Sequence, residues 1–134
     1  MSQHALWENY KVLKITVPIA LTASADATGV DLIGLKKDVM VVVNVGAVSG
    51  TTPTDSIAIQ TSPDNSVWTT QATISLATSS ANKVASAKVR VPVSHRYIRV
   101  SETVAGTTPS FLRSVIALVK AERGDDALNS STPA

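Results

Sequence analysis

The chain of 134 residues carries 12 Lys+Arg against 10 Asp+Glu, a net charge of +2, with two histidines and no cysteine. One domain of this length buries roughly two-thirds of its unfolded surface, and the missing cysteines exclude a disulfide framework, a thiolate metal site and a cysteine nucleophile, as in proteins made in a reducing compartment. The basic residues are scattered rather than gathered on one dense face, so no nucleic-acid partner is expected.

In chain order, Met1 to Tyr10 forms a polar arm with two aromatics, Trp7 and Tyr10. It lacks the basic stretch and apolar core of a secretion signal. The longest apolar run, Val39 to Val43, is far below the roughly 20 residues of a membrane helix, so no membrane partner is expected.

Residues 11–120 read as strands separated by turn residues, with no sustained 3.6-residue apolar period. Strands are predicted at Lys11–Leu21, Val39–Val48, Ser56–Thr61, Trp68–Ile74, Ala85–Val91, Tyr97–Val104 and Phe111–Lys120. Gly, Pro and Asx residues punctuate the stretches between them. This spacing implies an all-β fold, a single antiparallel β-sandwich of jelly-roll or immunoglobulin-like type with about seven to eight strands and extended terminal arms.

Side-chain alternation assigns faces to two of these strands. Along Tyr97–Val104, Ile98, Val100 and Val104 point to the core with Glu102 as an exception, and Tyr97, Arg99, Ser101 and Thr103 point to water. Val39 to Val45 is apolar on both sides, as expected of a strand covered once by its own sandwich and once by a loop or a neighbouring subunit. Phe111 to Val119 is similar, with Leu112, Ile116 and Leu118 on one side and Phe111, Val115 and Val119 on the other.

The segment Val45 to Thr54 is echoed by Ser101 to Ser110, and both contain Gly-Thr-Thr-Pro. The echo predicts two equivalent β-hairpins at one end of the sandwich, with Gly50, Pro53, Gly106 and Pro109 at their tips. The C-terminal tail, 121–134, has almost nothing to bury and is expected to be ordered by neighbouring molecules.

Catalytic chemistry is hard to find. His4 and His95 stand in no zinc-binding spacing, the aspartates Asp26, Asp31, Asp38, Asp55 and Asp64 lie mostly in turns, and no nucleophile elbow or phosphate loop occurs. Asp64 with Asn65 offers a weak calcium site, which turn formation explains equally well. Arg123-Gly124-Asp125 is a chance tripeptide in a tail. Trp68 is expected to close one end of the core rather than form a sugar-stacking platform. The chain is therefore expected to be neither an enzyme nor a cofactor or metal protein.

The stretch Ser62-Pro63-Asp64-Asn65-Ser66-Val67-Trp68, followed by Arg96-Tyr97-Ile98-Arg99-Val100, resembles the turn-tryptophan and Arg-Tyr strand pattern of discoidin-like jelly rolls. Asn65, which tolerates the left-handed region, replaces the glycine common in that turn. Taken with Val43 to Thr54 and Gly106 to Phe111, the combination resembles small virion proteins of tailed phages over about residues 26 to 120. That resemblance implies a sandwich on the outside of a particle: a capsid decoration (cement) protein, often trimeric, made in the host cytoplasm and located in the virion. Its partners would be the major capsid protein or other virion proteins. The alternative is a tail- or fibre-associated module that binds a receptor or glycan. Only 16% of residues are charged, which fits a surface partly covered by partners. Trp7 and Tyr10 are expected as arm anchors, and Val39, Val41, Val43, Phe111 and Val115 as subunit or capsid contacts.

Overall fold

The computed structural model describes residues 10–33 and 35–121. Seven antiparallel strands form one sheet: β1 (Tyr10–Leu21), β2 (Ala25–Asp26), β3 (Val30–Asp31), β4 (Leu35–Ser62), β5 (Thr69–Leu76), β6 (Val84–Arg90) and β7 (Tyr97–Ala121), with a single 3₁₀ turn at Thr78–Ser80. The expected all-β class holds. The predicted strand positions also hold, except that four of them merge into two very long strands. Of the predicted terminal segments 1–10 and 121–134, only Tyr10 and Ala121 fall among the described residues.

β4 and β7 pair along nearly their whole lengths, from Leu35↔Ala121 to Ser62↔Tyr97, and form the spine of the molecule. β1, then β2 and β3, follow the free edge of β7, while β5 and β6 follow the free edge of β4. The sheet doubles over at mid-length. One layer comprises β1, the C-terminal half of β7, the N-terminal half of β4, and β6; the other comprises β2, β3, the remaining halves of β7 and β4, and β5.

Valine and isoleucine at every second position bury one face of each layer against the other, as pleated strands require. Val39, Val41, Val43 and Val45 of β4 meet Ile57 and Ile59 from beyond the bend, with Ile98 and Val100 and the row Phe111, Val115, Ala117 and Val119 from β7, in one continuous core.

The two Gly-Thr-Thr-Pro segments are where the sheet bends, which corrects the expectation of hairpins. Neither segment reverses the chain. Each carries its strand from one layer to the other, and the two lie side by side with Ser49↔Ser110, Thr51↔Thr107 and Thr54↔Ala105 in register. Gly50 and Gly106 are therefore bend residues, with φ of 112° and 114°. A Cβ on Gly50 would stand 2.7 Å from the Thr108 carbonyl oxygen, and one on Gly106 2.7 Å from that of Thr52. Thr52 and Thr108 share a φ of 46°, and each hydroxyl donates to the preceding carbonyl at 2.8 Å. Pro53 is buried beside the bend and Pro109 is half-buried, so neither forms an exposed tip.

This junction marks an internal two-fold relation. The exchange that places Gly50 on Gly106 turns Leu13↔Ala117 into Thr69↔Thr61, Val30↔Ile98 into Ser86↔Val42, and Asp31↔Tyr97 into Ala87↔Val41, all of which are observed pairs. It also aligns Thr22-Ala23-Ser24-Ala25-Asp26 with Thr78-Ser79-Ser80-Ala81-Asn82. The fold is thus built from two equivalent half-chains whose long strands meet at the centre.

Candidate functional site

The two outer faces of the sandwich differ in chemistry. On the layer containing β1 and β6, cross-strand rows run Val12–Leu118–Met40–Lys88 and Lys14–Ile116–Val42–Ser86, followed by Ser114–Asn44–Val84. Val12 is 59% exposed, and Met40, Val42, Ile116 and Leu118 are half-buried within a single layer, with no second sheet above them among the described residues. With Tyr10, 39% exposed at one end, they form an apolar lane across three strands. A concave groove of about 820 Å³ lies over the Tyr10, Val12, Met40 and Leu118 end of this lane, reaching Asp38 and Arg90, which pair at 2.5 Å on its rim.

The opposite outer face is polar. Its rows are Thr70–Gln60–Arg99, Thr73–Ala58–Ser101–Asp26 and Ser75–Ser56–Thr103. The side chains are already engaged with one another: Arg99 Nε donates to Gln60 Oε1 at 2.9 Å, Gln60 Nε2 to Thr70 Oγ1 at 3.2 Å, and Ser101 Oγ to Asp26 Oδ1 at 2.5 Å.

The expected contact residues occupy the inner face of the same strands. Val39 is 3% exposed and Val41, Val43, Phe111 and Val115 are 0%, so the chain's own core has already used them and they are corrected here from surface contacts to core. The outward-facing apolar residues are their neighbours of the other parity. A strand apolar on both sides does not reveal which parity faces inward; that is fixed by where the rest of the sheet folds. Tyr10 does border the apolar lane, and Trp7 lies outside the described residues.

The tryptophan turn forms as the residues require. Asp64 Oδ1 accepts from the Ser66 and Val67 amides and from Ser62 Oγ, each at 3.0 Å. These backbone donors hold its carboxyl below the usual carboxylate range. Asn65 takes φ 63°, the left-handed conformation expected of it. Trp68 is half-buried rather than part of the core. Its ring lies under the Arg99 guanidinium, 4.4 Å from the centroid, and against Gly29, where an added Cβ would stand 2.8 Å from Cη2. The next turn is fixed by Arg96, which grips Asp31 through two nitrogens at 2.8 and 2.7 Å and so lowers the Asp31 carboxyl.

One polar cluster lies inside the molecule. Asp55 of β4 and Glu102 and Arg113 of β7 are 1%, 3% and 4% exposed. Arg113 donates to Glu102 through Nε at 2.9 Å and Nη2 at 2.5 Å, and its Nη1 reaches the Val17 carbonyl of β1 at 3.3 Å. Glu102 and Arg113 form the floor of a cleft of about 470 Å³ that opens between β1 and the Ala25–Val30 segment. Alternation alone flags Glu102. Arg113, in phase with Phe111 and Val115, carries the same signal with opposite charge and completes the pair. Asp55 precedes Ile57 and Ile59 in the same phase, yet its place beside a turn hides it.

No protein-family model and no curated protein matches the sequence. Several solved structures match the chain, two of them as follows. The PBSX exported protein XepA matches at a TM-score of 0.62 and 19% identity, over 100% of this chain and 45% of that one, so the chain spans less than half of XepA. The SPBc2 prophage-derived protein YomS matches at a TM-score of 0.48 and 12% identity, over 84% of this chain and 94% of that one.

Proposed function

We propose that this protein is a non-catalytic building block of a phage particle, and that it docks on its partner through the apolar lane of Tyr10, Val12, Met40, Val42, Ile116 and Leu118. The observation that carries this reading is the asymmetry of the sandwich: one outer face is apolar and concave, while the other is polar with its groups internally engaged. An isolated soluble domain has little reason to leave such a lane open, and contiguous apolar patches on monomers mark interaction sites. The lane also meets the need for a second cover that the doubly apolar strands express. The fold shared with the PBSX exported protein XepA supports a phage context.

Within that context the favoured role is capsid decoration. Each copy would bind the major capsid protein or a neighbouring copy, and a trimer would present three lanes to the shell. The free energy of burying each lane would add at every lattice position and stabilise the filled shell. The second reading is a tail or fibre module for a receptor or glycan, with the half-buried Trp68 beneath Arg99 as its candidate aromatic contact.

Immunogold labelling of particles from the producing strain separates these readings. Label over heads is expected for decoration and label confined to tails for the second reading, whereas particles without label overturn both.

A further inference from the structure

Both oxygens of the Asp55 carboxyl are buried with no hydrogen-bond donor among the described residues. Its surroundings can be enumerated. β5 presents Leu76 directly opposite, β7 presents Val104, and the next inward residue of β7 is Glu102, diagonal to Asp55 across the pair Ile57↔Glu102. Diagonal neighbours of this kind lie within reach of long side chains. Among the described residues the only cation at the cluster is Arg113, which arrives from the other layer and is already bound to Glu102. Lys14 and Asp26 line the cleft outside it.

Two carboxylates facing one guanidinium in a dry interior would leave an uncompensated negative charge, which is costly to bury. We propose that Asp55 is buried with its proton and, with Glu102 and Arg113, forms a latch that fastens the bend of the sheet to β1, closed while the proton is present and loosened when base removes it. In the closed state the Asp55 hydroxyl donates to the Glu102 carboxylate, Glu102 accepts two N–H bonds from Arg113, and Arg113 holds the Val17 carbonyl. Loss of the proton to hydroxide leaves a net charge of about −1 on the cluster. Water can reach that charge through the cleft as β1 yields between Lys14 and Ile19, where its register with β7 is already irregular. Burial, reinforced by the Glu102 carboxyl beside it, pushes the Asp55 carboxyl up to about 8, so the change falls just above neutrality.

The direct test is a carbon-13 NMR titration of the aspartate carboxyl carbons in the wild-type protein, with amide hydrogen exchange of β1 in wild type and Asp55→Asn at pH 6 and pH 9. The Asp55 carbon is expected to stay protonated at pH 6 and to titrate above neutrality. Wild-type β1 protection, corrected for base catalysis, is expected to fall about a hundredfold from pH 6 to pH 9, about tenfold per pH unit up to the transition, while Asp55→Asn, which cannot ionise, keeps its protection. An Asp55 carbon already ionised at pH 6 overturns the proposal, as does equal loss of protection in both proteins. Should Asp55→Asn fail to fold, the wild-type titration still decides.

Discussion

Glu102 and Arg113 belong to one strand but to opposite layers, and their two hydrogen bonds, at 2.9 and 2.5 Å, staple β7 across its own bend at Gly106. Both side chains are almost fully buried. Removing one partner strands the other charge in the core, so Glu102→Leu or Arg113→Met is expected to cost about 3–5 kcal/mol. The double variant is expected to recover most of that loss, because an apolar pair satisfies the same space without desolvated charge. Urea unfolding of the three variants checks this; additive losses in the double variant would contradict it.

The two-fold relation at the bend makes a paired prediction. Gly50→Ala and Gly106→Ala each force a Cβ to within 2.7 Å of a carbonyl oxygen at a φ near 113°, with almost the same surroundings. Each is expected to destabilise by more than about 1 kcal/mol, and by equal amounts. Thermal unfolding of the two variants in one buffer measures both; clearly unequal losses would mean that the two crossings are not equivalent in energy.

The pH profile of stability follows from three carboxyls. The lowered Asp31 and Asp64 contribute stability above their ordinary value near 3.8 and lose it as pH falls below that. Asp55 has the opposite sign: raised from 3.8 to about 8, its contribution is full below 3.8 and is lost progressively as pH rises through 8. Stability is therefore expected to peak in the mildly acid range and decline toward pH 8, and Asp55→Asn is expected to flatten the decline. Urea midpoints collected from pH 4 to pH 9 record the slope, and a wild-type profile that rises steadily to pH 8 would contradict this assignment.

Alternation, composition and turn residues made the class and the strand positions legible, because valine-rich strands with period-two faces depend on local rules. The tryptophan turn was equally readable, since Asp64 and Asn65 act on their own backbone. The bend was misread because a glycine at positive φ followed by Thr-Thr-Pro serves a tight reversal and a layer crossing alike. What separates them is that the two segments pair with each other, a contact remote in sequence. The outer apolar lane was missed for a related reason: Val39, Val41 and Val43 and their neighbours Met40 and Val42 are all apolar, so parity was set by tertiary folding alone.

Trp68 offers a local probe of the turn. Gly29→Ala would place a methyl group 2.1 Å from Asn65 Oδ1 and 2.8 Å from the indole ring, displacing the ring from Arg99. In a Trp7→Phe background, which leaves Trp68 as the single tryptophan, the emission is expected to shift to the red while the fold is retained. An unchanged spectrum would mean that Gly29 does not hold the ring in place.

The central claim is that the apolar lane docks this protein on a particle, and the most direct measurement is the occupancy of the chain on purified particles, wild type against Met40→Asp/Leu118→Asp. Both substitutions lie on the outer face, away from the core row of Val39, Val41 and Val43. Folded protein with occupancy reduced to background is the predicted result. Full occupancy by a correctly folded double variant would contradict it.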